Sequence, residues 1–328
     1  MSDGAIGKVR GLKRVSDGEG RYGVLAIDQR PPIFDYLASK LGVSAEAAAT
    51  RAGDVKRRIV RALGADVTGV LLDPLYGLGP ALPELPRETG LLVTLEDHAF
   101  ERLDDHHRLS SLIDGWGADR AVRVGGDAMK FLLWYRDDAP EACRQHQQDV
   151  VRRVGEACAQ AAHPFVLEIL PYELPGESLD AFAEKSPTLH ARAVETFAAP
   201  EYRVDLFKLA LPGHVKGVTD WGGDHYSLAD LESMMRSTTR ALNADWVLLS
   251  AGVTGPQFEQ ALSAALKAGA RGFMAGRALW WEPLQSYPDA EAMERALGEV
   301  RKGTLARVGA LLKEHVPART ADGGAAAA

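Results

Sequence analysis

The sequence predicts an α/β protein, a single-domain (β/α)8 TIM barrel over residues 1–316 followed by a tail at 317–328. Eight strand-like runs occur along the chain, and most of them are apolar at consecutive positions. Helical stretches separate the runs, and continuous apolar strands that alternate with helices indicate a parallel sheet. Eight such units over about 300 residues suit a closed barrel. An open doubly wound sheet is the alternative, but its Gly-x-Gly-x-x-Gly turn is absent after the first run.

In the first half of the chain, proline and apolar spacing delimit the predicted elements. Strands are predicted at 22–28, 69–73, 90–96 and 128–135. A polar segment precedes the first strand, and Pro31 and Pro32 prevent that strand from continuing. A helix is predicted from Ser44 onward, because Val55 and Ile59 recur on one face.

In the second half, strands and helices alternate regularly. Strands are predicted at 165–170, 204–211, 245–250 and 272–277. Helices are predicted at 140–161, 189–197, 226–242, 256–268 and 289–315, the last with a break near Gly303. The segments 79–86 and 97–126 are interpreted as loops with short helices. From residue 317 the low-complexity sequence predicts a disordered tail.

Composition and charge exclude several classes of partner. Apolar residues make up 46% of the chain and charged residues 25%, which is ordinary for a globular protein. The net charge of −7 argues against nucleic-acid and anionic-membrane partners, because both need a basic face. Cys143 and Cys158 lie about 22 Å apart on one predicted helix, beyond disulfide reach, which indicates a reducing compartment. Since the N-terminal residues contain neither a signal peptide nor a membrane helix, we expect a cytoplasmic location.

Four predicted strands each carry charged residues that are costly to bury alone, namely Asp28, Lys130, Glu168 and Lys208. In a barrel the active site lies at the C-terminal ends of the strands, so these groups are expected to meet there. Burial and the nearby Lys130 disfavour the charged form of Lys208, which makes its amine a candidate nucleophile for a carbonyl. Glu168 then suits general acid and base catalysis. The alternative is a pair of structural salt bridges in the barrel core.

The last two strands end in loops that suit an anion. These loops contain Ser250, Ala251 and Gly252 after one strand, and Gly276 and Arg277 after the other. Small residues let backbone N–H groups approach an anion, and a following helix N-terminus favours negative charge. Loops after strands seven and eight are the usual phosphate site of a barrel, and arginine adds paired donors. For either loop alone an ordinary strand–helix turn is the preferred interpretation, but together, on a barrel with a candidate lysine nucleophile, the loops predict a phosphorylated substrate.

Other polar or aromatic features are expected to be structural. The run Asp-Asp-His-His-Arg at 104–108 offers metal ligands, yet a solvated charged loop is the preferred interpretation, and neither a metal nor a cofactor is expected. Trp280 and Trp281 are expected to pack at the barrel bottom or in an oligomer contact. The sequence is compatible with a homo-oligomer and does not decide the oligomeric state.

Seven segments in order along the chain resemble the tagatose-1,6-bisphosphate aldolase family of class I aldolases. They are Leu-Ala-Ile-Asp-Gln-Arg at 25–30, Leu-Leu-Asp-Pro-Leu-Tyr-Gly at 71–77, Ala-Met-Lys-Phe-Leu-Leu at 128–133, Phe-Val-Leu-Glu-Ile-Leu at 165–170, Leu-Phe-Lys-Leu at 206–209, Leu-Ser-Ala-Gly-Val at 249–253 and Ala-Gly-Arg at 275–277. Residues 94–101 and the segment after Arg277 depart from the family pattern, and they shape the far end of the pocket.

The resemblance implies a metal-free barrel aldolase that forms a Schiff base on Lys208 and transfers protons through Glu168. It also implies a polar network and a phosphate site, made of Lys130, Asp28 and Gln29 and of Ser250, Gly252, Gly276 and Arg277. The implied reaction is reversible cleavage of a tagatose-1,6-bisphosphate-like ketohexose to dihydroxyacetone phosphate and glyceraldehyde 3-phosphate. Related sulfofructose-phosphate aldolases share the lysine, the glutamate and the anion loops, so 6-deoxy-6-sulfofructose 1-phosphate or another keto-sugar phosphate is an alternative substrate. A non-catalytic sugar-phosphate sensor is a further alternative.

Overall fold

Eight parallel strands close into a barrel in the computed structural model, which describes residues 2–319. The strands are β1 (Tyr22–Ile27), β2 (Gly69–Leu72), β3 (Gly90–Thr94), β4 (Ala128–Trp134), β5 (Phe165–Leu170), β6 (Leu206–Leu209), β7 (Asp245–Leu249) and β8 (Gly272–Ala275). Each strand pairs with the next one along the chain, and β8 closes the barrel by pairing with β1. The predicted (β/α)8 fold is therefore confirmed, whereas residues 320–328 of the predicted tail lie outside the described residues.

Helices connect the strands on the outside of the barrel. They are α1 (Asp3–Arg14), α2 (Pro31–Leu41), α3 (Ala45–Leu63), α4 (Leu78–Ala81), α5 (Ala118–Arg123), α6 (Glu141–Gln160), α7 (Leu179–Phe197), α8 (Leu228–Thr238), α9 (Gly255–Lys267), α10 (Arg277–Leu284), α11 (Ala290–Val300) and α12 (Ala306–His315). The break predicted near Gly303 is a π-helical segment, Arg301–Leu305, that joins α11 to α12. Within residues 2–319, none of the helices combines the length and the apolarity needed to cross a bilayer.

Two helical boundaries differ from the sequence prediction for local reasons. Helix α7 begins ten residues earlier than predicted, where the Ser178 hydroxyl accepts a hydrogen bond from the N–H of Ala181. Pro187 lies inside α7. Because proline disfavours helix interiors, the sequence analysis did not assign the first half of this helix. Helix α2, which was not predicted, starts at Pro31 and Pro32, since proline suits a first helical turn.

Helix α1, which the sequence analysis missed, closes the N-terminal end of the barrel. A Cβ atom on Gly7 would lie 2.2 Å from the carbonyl oxygen of Ala162, and one on Gly11 would lie 2.4 Å from that of Asp127. Val15 follows the helix and joins the apolar cluster inside the barrel. Glycine is a weak helix former, so the residues that permit this close approach also concealed the helix.

Both ends of the described chain lie at this closed end of the barrel. Arg319 pairs with Asp245 at the start of β7. Arg271, immediately before β8, donates to the carbonyl oxygen of Pro317 at 3.1 Å. The described residues of the predicted tail, 317–319, therefore pack against the N-terminal ends of the strands.

The barrel interior has an apolar lower layer and a charged upper layer. Side chains alternate along a strand, so every second residue of each strand points inward. The inward residues near the N-terminal ends form a buried apolar cluster that includes Tyr22, Val24, Ala26, Leu71, Leu92, Ala128, Val166, Leu206, Val247 and Met274. The next inward positions toward the C-terminal ends include Asp28, Lys130, Glu168 and Lys208, all buried. The charged residues therefore pack directly on the apolar layer.

His190 in α7 links the stability of the fold to pH. Its two ring nitrogens are buried without a hydrogen-bond partner among residues 2–319, and burial lowers the pKa of His190 to about 4. The unfolded chain takes up this proton at a higher pH, near 6.5, so stability should fall as the pH drops from about 6.5 toward 4. When the pH is lowered from 7 to 5, we expect the free energy of unfolding of the wild type to fall by about 2 kcal/mol more than that of His190→Leu, as measured by urea unfolding. Equal losses in the two proteins would contradict this prediction.

Candidate active site

Lys130 lies at the centre of a buried charge cluster at the C-terminal end of the barrel. Its Nζ is 2.7 Å from Asp28 Oδ2, 2.7 Å from Glu168 Oε2 and 2.9 Å from Glu96 Oε1. Burial by itself would lower the pKa of Lys130, but the three carboxylates outweigh it and raise the pKa above its ordinary value. Lys130 is therefore a fixed positive charge at neutral pH.

Glu168 joins the two lysines of the cluster. Its Oε2 lies 2.8 Å from Lys208 Nζ and also contacts Lys130. Glu168 and Lys208 are register partners on the adjacent strands β5 and β6, which places their inward side chains at one level. Both residues are at least 95% buried, yet both line a cavity of about 450 Å³ that opens at the C-terminal ends of the strands. Within the described chain Glu168 contacts two lysine amines, those of Lys130 and Lys208. Of these two lysines, only Lys208 lines the cavity.

Asp28 and Gln29 follow β1 and line the same cavity. Burial would raise the pKa of Asp28, but Lys130 and then Lys208 outweigh it and hold the pKa below its usual range. Asp28 uses Oδ2 to accept from Lys130, whereas its Oδ1 has no partner within residues 2–319. The side-chain oxygen of Gln29 is likewise buried and without a partner there. These two oxygens are free acceptors that a hydroxyl group of a ligand can satisfy.

Glu96 and Arg30 complete the charge cluster, and the sequence analysis did not select either as a site residue. The Glu96 carboxylate accepts hydrogen bonds from Lys130, Thr94, Arg30 and the N–H of Leu132. Arg30 also donates to the carbonyl oxygen of Glu96 at 2.9 Å. The missed signal is strand alternation, because Glu96 lies two residues after the inward Thr94 and Arg30 lies two after Asp28.

The loops after β7 and β8 bring the predicted anion-binding residues together. Ala251 and Gly252 both have left-handed backbone angles, with φ of 48° and 79°. A Cβ atom on Gly252 would lie 2.9 Å from Arg277 Cζ, so glycine lets the guanidinium rest against the loop backbone. Gly276 directly precedes α10, and its N–H donates weakly to the Ser250 hydroxyl at 3.4 Å.

Arg277 is the free cation of these loops. No acceptor for its guanidinium is present among residues 2–319, and it lines the cavity together with Ser250, Ala251 and Gly276. Burial lowers the pKa of Arg277, although Glu168 and Asp28 oppose that effect. An unpaired, largely buried guanidinium beside glycine-rich loops is suited to bind an oxyanion.

The segment 104–108 forms the turn of a small two-stranded hairpin, in which Asp104, Asp105 and His106 are exposed, as the solvated-loop interpretation expects, and His107 is buried. The expected position of Trp280 was wrong. The indole of Trp280 donates to the carbonyl oxygen of Ala26 at 3.0 Å, near the C-terminal end of β1, not at the barrel bottom. Among the described residues, a surface group of Asp180, Asp224 and His225 has metal-compatible spacing, and it lies apart from the cavity.

Comparison with known proteins identifies the family. A family model described as DeoC/LacD family aldolase matches residues 24–282. The chain belongs to the DeoC/LacD family of aldolases. Tagatose 1,6-diphosphate aldolase of Lactococcus lactis subsp. lactis is 32% identical over 286 residues, which cover 85% of this chain and 86% of that protein. Tagatose 1,6-diphosphate aldolase 1 of Enterococcus faecalis is 30% identical over 314 residues, which cover 94% and 95%.

A solved structure supports the fold of this DeoC/LacD family aldolase. Fructose-bisphosphate aldolase from Plasmodium falciparum superposes with a TM-score of 0.69 at 17% identity, and the match covers 96% of each chain. The shared architecture is the barrel. Because it belongs to the DeoC/LacD family of aldolases, the chain is a lyase of the aldolase type, and the charge cluster at the C-terminal end of its barrel is the candidate catalytic centre.

A second buried ion pair lies just beyond the C-terminal end of β2, outside the cavity lining of this DeoC/LacD family aldolase. Lys56 of α3 contacts Asp73 after β2, and both side chains are fully buried. Burial lowers the pKa of Lys56, while Asp73 opposes the effect. Lys56→Met would leave the carboxylate buried and uncompensated, so we expect a loss of about 3 kcal/mol or more in urea unfolding. Lys8→Met, which breaks a partly exposed pair with Asp205, is the matched control and should cost at most about 1 kcal/mol.

Proposed function

We propose that this aldolase cleaves a phosphorylated ketohexose, tagatose 1,6-bisphosphate or a close analogue, through a Schiff base on Lys208. The products would be dihydroxyacetone phosphate and glyceraldehyde 3-phosphate, and the reaction would be reversible. The observation that carries the proposal is the lysine amine in the cavity, 2.8 Å from a carboxylate that also contacts a second, permanently charged lysine. The relatives named above, which carry the name tagatose 1,6-diphosphate aldolase, support the substrate class.

In the proposed reaction, Lys208 Nζ adds to the ketone carbon and water leaves, which gives a protonated imine. Removal of the proton from the C4 hydroxyl breaks the C3–C4 bond, and the electron pair of that bond moves to the imine nitrogen as an enamine. The aldehyde product departs. A proton returned to C3, followed by addition of water to the imine, releases dihydroxyacetone phosphate and regenerates the lysine.

The neighbouring residues have distinct roles in this proposal. Glu168 moves the protons, because it is the carboxylate within hydrogen-bond reach of the lysine amine. Lys130 holds the Glu168 carboxylate beside Lys208, since both nitrogens contact the same Glu168 oxygen. Asp28 and Gln29 accept hydroxyl hydrogen bonds through their unpartnered oxygens.

The 1-phosphate would lie in the loops after β7 and β8. Arg277 supplies the guanidinium, and the other contacts come from Ser250, Ala251, Gly252 and Gly276. The N-terminus of α10 adds a favourable field for the anion. A metal or an organic cofactor has no part in this mechanism, because the imine is the electron sink.

Trapping of the imine tests this proposal. Incubation with dihydroxyacetone phosphate and borohydride should add one reduced adduct to the chain, and peptide mapping should place it on Lys208. Inorganic phosphate added without the ketone should give no adduct. Binding of dihydroxyacetone phosphate without an adduct and without turnover would point to a sugar-phosphate sensor.

A sulfonated sugar is the second candidate substrate. The same lysine, glutamate and anion loops would serve 6-deoxy-6-sulfofructose 1-phosphate, and the cavity wall far from Arg277 is aromatic, with Phe100 and Trp134. Comparison of kcat/KM for this compound and for tagatose 1,6-bisphosphate separates the two. We place the enzyme in cytoplasmic carbohydrate metabolism without a nucleic-acid partner, and size-exclusion chromatography will test for a homo-oligomer.

A further inference from the structure

A second cavity, of about 310 Å³, lies on the outside of the barrel. This outer cavity is formed by α6, by the segment 110–118 that follows the hairpin and enters α5, and by Leu95 after β3. Within residues 2–319, none of its lining residues also lines the barrel cavity that contains Lys208. Concave, mostly apolar cavities of this size are typical sites for small molecules.

One face of α6 forms the long wall of the outer cavity. The residues of that face recur three or four positions apart, which places them on one side of a helix. At a rise of about 1.5 Å per residue, the wall is about 16 Å long. This length suits an extended apolar molecule better than a single small ion. The lining residues of α6 are His146, Val150, Arg153, Val154 and Ala157.

The opposite side of the outer cavity contains a leucine that the fold leaves uncovered. Leu112 lines the cavity, and 40% of its surface is exposed. Ala118 lies beside it in the lining, and Val150 and Val154 are buried beneath the facing wall. A large exposed apolar side chain in a concave apolar surface is typical of a ligand-binding groove. An apolar ligand in the groove would remove Leu112 from water, which is favourable.

Arg153 is the charged group of the outer cavity. It is exposed, and within residues 2–319 no carboxylate oxygen lies within 4 Å of its guanidinium nitrogens. The preceding residue is different, because Arg152 contacts both Asp149 and Glu201. A guanidinium forms paired hydrogen bonds with a carboxylate. The outer cavity therefore combines an apolar wall with an unpaired cation, and this combination is complementary to an amphipathic anion.

The outer cavity lies directly behind the main chain that carries Glu96. Because Glu96 points into the barrel, the adjacent Leu95 points outward, where it lines the outer cavity. The N–H of Leu95 donates to the carbonyl oxygen of Lys130 at 2.8 Å, and its carbonyl oxygen accepts from the N–H of Ile113 at 2.9 Å. An antiparallel bridge also pairs Glu96 with Leu112. A ligand in the outer cavity would thus contact the chain segments that hold Glu96 beside Lys130.

We propose that the outer cavity is a second ligand site, which binds a small carboxylate with a rigid apolar body, of the size of a bicyclic aromatic acid. The apolar body lies between the valines of α6 and Leu112, and the carboxylate pairs with Arg153. The site does not depend on the proposed reaction, because it shares no lining residue with the barrel cavity. Its occupancy restrains the segment 110–113 and the main chain behind Glu96.

Equilibrium dialysis with 2-naphthoate tests the site. The wild type should bind one molecule per chain there, and Arg153→Gln should bind it at least about tenfold more weakly, because the paired hydrogen bonds are lost. The neutral 2-naphthamide should bind the wild type as weakly as 2-naphthoate binds Arg153→Gln. Because Arg153 is exposed and has no carboxylate partner within residues 2–319, its substitution should leave the fold intact.

Two further variants provide the controls. Arg51→Gln removes an exposed arginine of α3 that lines neither cavity, and it should bind 2-naphthoate like the wild type. Arg277→Gln removes the cation of the barrel cavity, and it should also keep the wild-type affinity for 2-naphthoate. Loss of binding in Arg277→Gln together with full binding in Arg153→Gln would place the ligand in the barrel and overturn the proposal. So would a wild type that binds no 2-naphthoate at millimolar concentration.

Hydrogen exchange locates the bound molecule without a substitution. Saturating 2-naphthoate should slow the exchange of the N–H groups of Leu95 and Ile113 and of the amides of α6, because a ligand that binds the closed state opposes local opening. Exchange in the loops after β7 and β8 should not change. Slower exchange confined to those two loops would show that the outer cavity is not the binding site.

Discussion

Lys208→Met is expected to lower kcat for ketose cleavage by about 10⁴-fold or more, because the variant has no amine to form the imine. Methionine matches the length of the lysine stem and adds no charge. The fold should persist, since Glu168 keeps its contact with Lys130 after the substitution. A coupled assay for triose phosphate measures the rate, and borohydride trapping should yield no adduct.

Lys267→Met is a suitable control, because Lys267 is exposed on α9 at the outside of the barrel. It should cleave at the wild-type rate and form the same adduct. Retention of cleavage in Lys208→Met, with the far-ultraviolet circular dichroism unchanged, would rule out the proposed nucleophile. If borohydride instead traps an adduct on Lys130, the roles of the two lysines are exchanged.

Glu168→Gln should lower kcat by about 10²-fold to 10⁴-fold, the range that general acid and base catalysis contributes. The amide keeps the shape of the carboxylate but cannot accept the proton. Imine formation should still be trapped by borohydride, more slowly than in the wild type, because Lys208 is still present. Presteady-state rates of adduct formation and of aldehyde release separate these two steps.

Glu96→Gln is the informative comparison for Glu168→Gln. Glu96 also contacts Lys130, but no contact joins it to Lys208 within the described chain. If Glu168 transfers protons, its variant should lose much more activity than the Glu96 variant. Equal losses of activity in the two variants would mean that Glu168 and Glu96 affect cleavage only through their contact with the charged Lys130.

The strands and the charged layer were predictable because they depend on local pattern. Long apolar runs with a single charged residue identify buried strands, and the parallel topology then brings those charged residues to one end. This reasoning placed Lys208 and Glu168 in adjacent strands, and the structure places them in register. The position of the loops that contain Ser250 and Arg277 beside the cavity was predictable for the same reason, since they follow the last two strands of a closed barrel.

The sequence could not give the features that depend on packing between distant segments. Helix α1 is stabilised by backbone approaches at Gly7 and Gly11, which sequence periodicity does not report. Glu96 joins the cluster because its side chain reaches from the end of β3 to β4, where it accepts hydrogen bonds from Lys130 and from the N–H of Leu132. The stacking of Arg108 on the cavity rings depends on how the hairpin folds back over β4.

The location of both ends of the described chain has a practical consequence for use of the enzyme on a solid support. Ser2 caps the N-terminus of α1, and Arg319 contacts the start of β7, so both positions lie at the face opposite the cavity mouth. A coupling tag attached near either position would orient every molecule with its substrate entrance toward the flowing solution. Random coupling through surface lysines would lack this uniform orientation, and a flow reactor built with end-coupled enzyme should give more product per mole of immobilised protein.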